Sequence, residues 1–161
     1  MLNKYLKGER GEKGFTLLEL LVVIVIIGIL ALLVIPNLSS APKKARDVQR
    51  KTDLRAAQKA LEEYFVSNSA YPTIVATSGT NAAYLALGTA LTTGTPPILK
   101  TLPADPITGS STYTYAYSYT GTTAYTLRAC LENSGDMGTG TVADTTNCGT
   151  NGRAFNLSNN N

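Results

Sequence analysis

One unbroken apolar stretch dominates the pattern of hydrophobic and polar positions along the chain. It runs from Phe15 to Ile35, about 21 residues, most of them Leu, Ile or Val. At ~1.5 Å rise per residue, a helix of this length spans about 31 Å, which matches the hydrocarbon core of a bilayer. The apolar region of a secretory signal peptide is shorter and is followed by a small-residue cleavage site. The pattern therefore predicts a membrane-spanning helix.

Hydrophobic positions with helical spacing return after an interruption at residues 37–42. Charged residues occupy one face of this segment, and an apolar stripe occupies another. The stripe consists of Leu54, Ala57, Leu61, Tyr64 and Phe65. The spacing predicts an amphipathic helix with Pro42 in its first turn and Ser40 as its cap. We expect a bend near residues 36–42.

A period of two replaces the helical period further along the chain. Tyr113, Tyr115, Tyr117 and Tyr119 alternate with small residues, which predicts a strand over residues 112–119. A turn at residues 120–122 and a returning strand at 124–131 complete a hairpin. Residues 81–91 favour a short helix or turn. The tyrosine face could stack bases or sugars, but packing across an amphipathic helix is its more ordinary role.

The amino-acid composition excludes the most common catalytic mechanisms. The chain has 161 residues with no His and two Cys, so imidazole-based catalysis and His metal sites are excluded. We expect neither an enzymatic role nor a cofactor. The net charge of +3 conceals an uneven distribution, because four cations precede the apolar stretch and six follow it between Lys43 and Arg55. The positive-inside rule alone would place the second group in the cytoplasm.

The basic run from Lys43 to Lys59 has two interpretations. Clustered cations are what phosphate contacts require, so nucleic-acid binding is possible. The run is interleaved with acidic residues, with Lys59 and Glu63 at i, i+4 spacing, and it follows a membrane segment whose anionic lipids would attract it. The second interpretation, a solvated or lipid-facing helix surface, is favoured, and nucleic acid remains an unsupported partner.

Glu19 is the one charged residue inside the apolar stretch. One interpretation is a carboxylate that reaches the membrane interface near a helix start, where the helix dipole favours negative charge. The other is a residue that pairs with a cation. The apolar stretch contains no Lys or Arg, so such a cation must come from another chain or from a newly made N-terminus.

The string KGFTLLELLVVIVIIGILALLVIPNL resembles the prepilin signature of type IV pilins and type II secretion pseudopilins. The resemblance rests on Gly14, Phe15 and Glu19, with Gly28 and Pro36 at the usual offsets. It implies an α+β, pilin-like fold, in which a long N-terminal hydrophobic helix packs on a small antiparallel sheet. The LPADP string at residues 102–106 and the Tyr-Pro pair at 71–72 are similar to segments of the same family.

The resemblance also implies an order of segments along the chain. Residues 1–14 would form a leader peptide, 15–36 the transmembrane and filament-core helix, and 37–66 its amphipathic continuation. Residues 67–161 would form an extracytoplasmic head. The family's leader lies in the cytoplasm, and this implied orientation takes precedence over the count of flanking cations.

Processing and assembly follow from the resemblance as well. A prepilin peptidase would cleave after Gly14 and methylate the new amine of Phe15. In the family, this ammonium is thought to pair with the Glu19 carboxylate of a neighbouring subunit. Leader cleavage would therefore switch assembly on, and Gly28 with Pro36 would let the packed helix bend or locally unwind.

The expected function is that of a structural subunit of a type IV pilus. Its partners would be copies of itself in a helical filament, the prepilin peptidase, and a pilus assembly platform with its ATPase. The precursor would be a single-pass protein of the cytoplasmic membrane, and the product an extracellular filament. The alternatives are a secretion pseudopilin or a competence pilus subunit, and, in a third class, an anchored binding or enzymatic protein.

Cys130 and Cys148 are the only thiols and, in an exported chain, are expected to form one disulfide. The intervening segment has too little apolar content to order itself, so a covalent link is physically reasonable. Asp136 and Asp144 are an alternative feature of this segment, because they could bind calcium, although their spacing matches no defined loop. Residues 156–161 are expected to form a frayed tail.

Overall fold

A computed structural model describes residues 14–38, 40–74, 78–107, 109–149 and 152–159, without the side chains of residues 33–38. The chain divides into two compact units, Met1–Ser39 and Ser40–Asn161. Apart from Gly14, the expected leader peptide lies outside the described residues.

The first unit contains one helix, α1, from Leu17 to Leu38. Its large apolar side chains between Leu17 and Leu32 are 46% to 82% exposed, so the helix presents hydrophobic surface on all sides. The helix includes both Gly28 and Pro36. Within the described residues, no helix combines the length and the apolar character that a membrane crossing requires.

The second unit begins with helix α2, Ala41–Asn68, which carries Pro42 in its first turn as expected. Ser40 occupies the capping position, but its side chain makes no capping hydrogen bond, which corrects the expected role of its hydroxyl. The helix ends where Ser69 adopts a left-handed conformation with φ of 55° and donates its backbone N–H to the Phe65 carbonyl.

Four antiparallel strands form the sheet of the second unit. They are β1 (Tyr115–Thr120), β2 (Ala124–Cys130), β3 (Thr141–Ala143) and β4 (Arg153–Ser158), in the spatial order β1-β2-β4-β3. A third helix, α3, spans Asn81–Thr92, and the Thr80 side chain caps it by accepting the Ala83 N–H. The expected tail was wrong for residues 156–158, because they pair with β2 as part of β4.

The hydrophobic core lies between the sheet and the two helices of the second unit. The predicted apolar stripe of α2 faces it, with Leu54, Ala57 and Leu61 fully buried and Tyr64 and Phe65 partly buried. Leu87 of α3, Leu127 of β2 and Phe155 of β4 complete its centre. The α+β fold class is confirmed, and within the second unit the amphipathic α2 packs on the sheet together with α3.

Two tyrosines of the row, Tyr115 and Tyr117, belong to this core rather than to a ligand-binding face, and Tyr119 packs against it. Tyr115 and Tyr117 are 1% and 0% exposed, so their rings are inaccessible for stacking on bases or sugars. The Tyr115 hydroxyl donates to Asp53 of α2 at 2.7 Å, and the Tyr125 hydroxyl donates to Glu62 of α2 at 2.7 Å. These two bonds, nine residues apart on the helix, fix the position of α2 along the sheet.

Candidate functional site

The start of α1 carries a reciprocal set of hydrogen bonds between Thr16 and Glu19. Glu19 Oε2 accepts the Thr16 backbone N–H at 2.9 Å and the Thr16 hydroxyl at 2.9 Å. The Glu19 N–H in turn donates to Thr16 Oγ1 at 3.2 Å. Thr16 directly precedes the helix and Glu19 is its third residue, which is the geometry of a capping box. The two side chains therefore satisfy one backbone donor each, the Thr16 N–H and the Glu19 N–H, at the start of the helix.

The capping box was not anticipated, although the sequence contains its signal. A threonine followed three residues later by a glutamate, directly before an apolar run, is the local signature of a helix start. One interpretation of Glu19 was a carboxylate near a helix start. The structure agrees with it and shows that the carboxylate takes part in the capping box. Among the residues that the structure describes, no cation lies within ion-pair distance of Glu19.

Gly14 and Phe15 lie at the exposed end that precedes this helix. Phe15 is 82% exposed, and apart from its chain neighbours no atom of the described residues lies within 4 Å of the position that a Cβ on Gly14 would occupy. Around Gly28 inside α1, the described residues beyond its own helix backbone leave the same open space. Among the described residues, neither glycine is required by side-chain packing.

A second concentration of charge surrounds Arg50 in the other unit. The Arg50 side chain is 0% exposed and bonds three carboxylates. Its Nη1 donates to Asp47 and to Glu132, both at 2.8 Å, and its Nε and Nη2 donate to the two oxygens of Asp105 at 2.6 and 3.0 Å. The guanidinium also lies 4.8 Å from the centre of the Tyr113 ring. We call Asp47, Arg50, Asp105 and Glu132, with Arg46, the Arg50 cluster.

The Arg50 cluster joins segments that are far apart in sequence. Asp105 lies 55 residues from Arg50, in the LPADP string, and Glu132 lies 82 residues away, just after β2. The two oxygens of Asp47 accept the backbone N–H groups of Glu132 and Asn133, each at 2.9 Å. The first turns of α2 are thereby attached to the loop before β1 and to the loop after β2.

Electrostatics in the Arg50 cluster favour the charged forms of Glu132 and Arg50. The hydrogen bond from Arg46 Nε, at 2.6 Å, acts with Arg50 against the cost of burial and lowers the pKa of Glu132 to about 2. Burial opposes the charge on Arg50, but its bonds to Asp105, Glu132 and Asp47 outweigh that cost and raise its pKa. The cluster is charge-paired within the chain, so it has a structural rather than a catalytic character.

Cations also engage the two aspartates that were considered for calcium. Lys51 Nζ bonds Asp136 Oδ2 at 2.6 Å, and Arg128 Nη1 lies 3.6 Å from Asp144 Oδ2. The Lys51 hydrogen bond lowers the pKa of Asp136. Within the described ranges, no group of three or more His, Cys, Asp or Glu side chains is placed to hold a metal ion.

The expected disulfide is present between Cys130 and Cys148, whose Cα atoms are 5.2 Å apart. Both residues are buried, at 4% and 1% exposure, and they pack with Ala154 of β4 and with Tyr113. We call residues 130–148 the disulfide loop. It is held at both ends by the covalent bond and near its start by the Asp47 carboxylate.

The basic run of α2 is therefore not one solvated surface. That interpretation was wrong for Arg50 and Asp47, which are buried because they lie on the same helix face as Leu54 and Ala57. The i, i+4 spacing of Lys59 and Glu63 gives no ion pair between them in the described part of the chain. Arg46 and Lys51 pair with Glu132 and Asp136. The other four cations of the run are exposed and have no acidic partner among the described residues: Lys43, Lys44, Arg55 and Lys59.

Comparison with known protein families finds one match. The model of the prokaryotic N-terminal methylation motif, which is the prepilin signature of type IV pilins and pseudopilins, matches residues 10–35. No curated protein and no solved structure matches the chain. The matched residues include Gly14, Phe15 and the Thr16–Glu19 capping box, and their signature supports a pilin or pseudopilin family.

Proposed function

From the prepilin signature we propose that this chain is the structural subunit of a type IV pilus, which polymerises through α1 after a prepilin peptidase removes residues 1–14. The observation that carries the proposal is the position of Glu19. Its carboxylate lies one helical turn from the cleavage site, at the end of a helix that exposes hydrophobic surface on every side.

The exposed hydrophobic surface of α1 favours a state in which other molecules cover this helix. Monomeric soluble proteins rarely leave contiguous apolar patches of this extent in water. We propose that lipid covers α1 in a single-pass precursor whose leader lies in the cytoplasm, and that α1 helices of neighbouring subunits cover it in an extracellular filament. An assembly platform and its ATPase would move the subunit from one environment to the other.

Cleavage supplies the cation that Glu19 needs. In the uncleaved chain the Phe15 nitrogen is a neutral amide, whereas after cleavage it is an ammonium, and N-methylation leaves that charge in place. Attraction between this ammonium and a carboxylate strengthens where water is excluded. We propose that the Glu19 carboxylate of one subunit pairs with the Phe15 ammonium of a neighbour, which couples processing to assembly.

The capping box supports a second part of this proposal. Because Thr16 holds the Glu19 carboxylate at the first turn of α1, the carboxylate is positioned before any neighbour arrives. A positioned charge loses less conformational entropy on pairing than a freely rotating one. Gly28 and Pro36 act later, by letting the packed helix bend or unwind. The chain has no enzymatic role in this scheme.

A secretion pseudopilin or a competence pilus subunit remains the alternative within the same family. Both would be processed and would assemble through the same α1 chemistry, so the N-terminal site does not separate them. Deletion of the chain separates them: loss of visible surface pili supports a pilus subunit, loss of protein export without visible pili supports a pseudopilin, and loss of DNA uptake supports a competence pilus.

The test of the assembly site uses three substitutions in cells that contain the processing and assembly machinery. Glu19→Gln removes the charge but keeps an oxygen that can complete the capping box, as glutamine does in such boxes. Thr16→Val weakens the capping box but keeps the charge. Glu19→Ala removes both. We expect Glu19→Gln and Glu19→Ala to abolish filaments and Thr16→Val to retain them.

Mass spectrometry of the mature N-terminus completes the test. We expect a chain that begins at Phe15 and carries one methyl group on its amine, in the wild-type protein and in Thr16→Val. Filaments with Glu19→Gln at wild-type yield would disprove the charge pairing. Filaments built from chains that retain residues 1–14 would disprove the coupling of cleavage to assembly.

A further inference from the structure

The basic run of α2 divides into two groups with different environments. Arg46, Arg50 and Lys51 point into the second unit, where each one pairs with a carboxylate of a distant loop. Lys43 and Lys44 are exposed, and neither lies within ion-pair distance of a carboxylate among the described residues. Arg46, Arg50 and Lys51 therefore stabilise the fold of the second unit through ion pairs. Lys43 and Lys44 carry charge that no carboxylate among the described residues compensates.

The covalent chain limits how far these two lysines can lie from the end of α1. Lys43 is five residues beyond Leu38, so even a fully extended connection spans only about 18 Å at ~3.6 Å per residue. Lys59, on the same helix, is 16 residues beyond Lys43, or about 24 Å further along α2 at ~1.5 Å per residue. Lys43 and Lys44 are the exposed cations that must stay near the end of α1.

We propose that Lys43 and Lys44 bind the anionic headgroups of the bilayer while the subunit is a membrane-anchored precursor. This inference rests on the proposed function, because it requires α1 to be inserted in lipid. The partner is a bilayer surface rich in acidic phospholipid, whose negative potential attracts Lys side chains and decays within a Debye length. Lys59, about 24 Å further along α2, lies outside the contact.

Lipid is favoured over nucleic acid by the distribution of charge. A duplex contacts cations over an extended surface and would engage Arg55 and Lys59 together with Lys43 and Lys44. A bilayer that holds α1 reaches only the cations nearest to the anchor. Selective contact at Lys43 and Lys44 is therefore the specific expectation of the lipid proposal.

Amine acylation of the full chain in lipid vesicles tests the proposal. The chain is reconstituted either in pure phosphatidylcholine or in phosphatidylcholine with phosphatidylglycerol, and it is treated with a membrane-impermeant acylating reagent. Mass spectrometry then gives the acylation rate at each lysine. Lys59 is the internal control, because it is exposed and does not pair with a carboxylate within the described residues.

We expect phosphatidylglycerol to slow acylation of Lys43 and Lys44 about threefold or more, as a surface potential near −30 mV raises the local proton concentration by that factor. Lys59 should be unaffected, and high salt should remove the effect. Equal rates in both lipids, or equal slowing at Lys43, Lys44 and Lys59, would overturn the proposal. A duplex DNA added to phosphatidylcholine vesicles that protects these three lysines, when phosphatidylglycerol protects none, would assign the surface to nucleic acid instead.

Vesicle flotation separates this inference from the proposed function. A chain that fails to float with either vesicle is not anchored in lipid, and the proposed precursor is then wrong. A chain that floats with both vesicles but shows no lipid-dependent acylation disproves only the role of Lys43 and Lys44.

Discussion

The two units of this protein place carboxylates near the start of a helix and satisfy them in different ways. Asp47 in α2 is 2% exposed and has an arginine and two distant backbone N–H groups as partners, all within its own unit. Among the described residues, Glu19 in α1 is bonded only to Thr16, three residues away. The Arg50 cluster is thus closed within the second unit, whereas α1 carries a charge that a neighbouring molecule can still use.

The same contrast holds for hydrophobic surface. Leu54 and Leu61 of α2 are 0% exposed because the sheet and α3 cover them, whereas Leu17 of α1 is 82% exposed. A closed unit should respond to substitution by losing its own stability. An open helix should respond by losing assembly while its unit is otherwise intact. Variants in the second unit should therefore differ from variants in α1 in which property they lose.

The largest effect is expected from Arg50→Met in the second unit. The substitution leaves Asp47 and Asp105 without their buried cation, and Glu132 keeps only its ion pair with Arg46. Leaving buried charges without a partner typically costs about 3 to 5 kcal/mol. Denaturant unfolding followed by tyrosine fluorescence should show this loss, since the chain contains no Trp. Lys59→Met is the matched control and should stay within about 0.5 kcal/mol of wild type. Equal stability of the two variants would show that the Arg50 cluster is not structural.

Removal of the disulfide by Cys130→Ser with Cys148→Ser should have the next largest effect. Closing a loop of 18 residues is worth about 3 kcal/mol in the chain-entropy model. Unfolding of the oxidised and reduced wild-type protein should differ by the same amount, and the reducing agent should not affect the double variant. A reducing agent that destabilises the double variant as much as wild type would contradict the assignment.

Acid should weaken the second unit through Glu132. The pKa of this carboxyl is about 2 in the folded protein and about 4.3 when unfolded, so the stabilisation is complete above pH 5 and is lost as the pH falls towards 2. The loss is on the order of 2 to 3 kcal/mol. In Glu132→Gln, the free energy of unfolding should start lower and depend less on pH in this range. An unchanged pH dependence in the variant would exclude Glu132 as the titrating group.

The smallest effect on stability is expected from Gly28→Ala in α1. Alanine favours a helix interior over glycine by about 1 kcal/mol, and open space surrounds the position. The unfolding of the second unit should not change. If the filament helix unwinds between Gly28 and Pro36, Gly28→Ala filaments should extend less under force, and Ala31→Gly filaments should extend more. Identical extension of wild-type and Gly28→Ala filaments would remove the role proposed for Gly28.

Local patterns predicted the helices and the first hairpin well. The i, i+3, i+4 stripe of α2 and the period-two tyrosines of β1 are properties of a few consecutive turns or residues, so the sequence displays them directly. The capping box at Thr16 and Glu19 was equally local and could have been recognised. β3 and β4 were not predicted, because β3 has only three residues and β4 forms by pairing with β2, about thirty residues earlier.

The amino-acid sequence by itself determined the methylation motif, the apolar run of α1 with its single carboxylate, the apolar face of α2 and the pair of cysteines, since each depends on residue type and short-range spacing. Only the tertiary structure decided that Arg50 is buried while Lys43 and Lys44 are not. All three are cations in one basic run, and what separates them is whether a carboxylate 55 or 82 residues away folds back to meet the side chain. Helical spacing places Arg50 on the apolar face of α2, but contacts at that separation have no periodicity, so spacing along the chain does not reveal its partners.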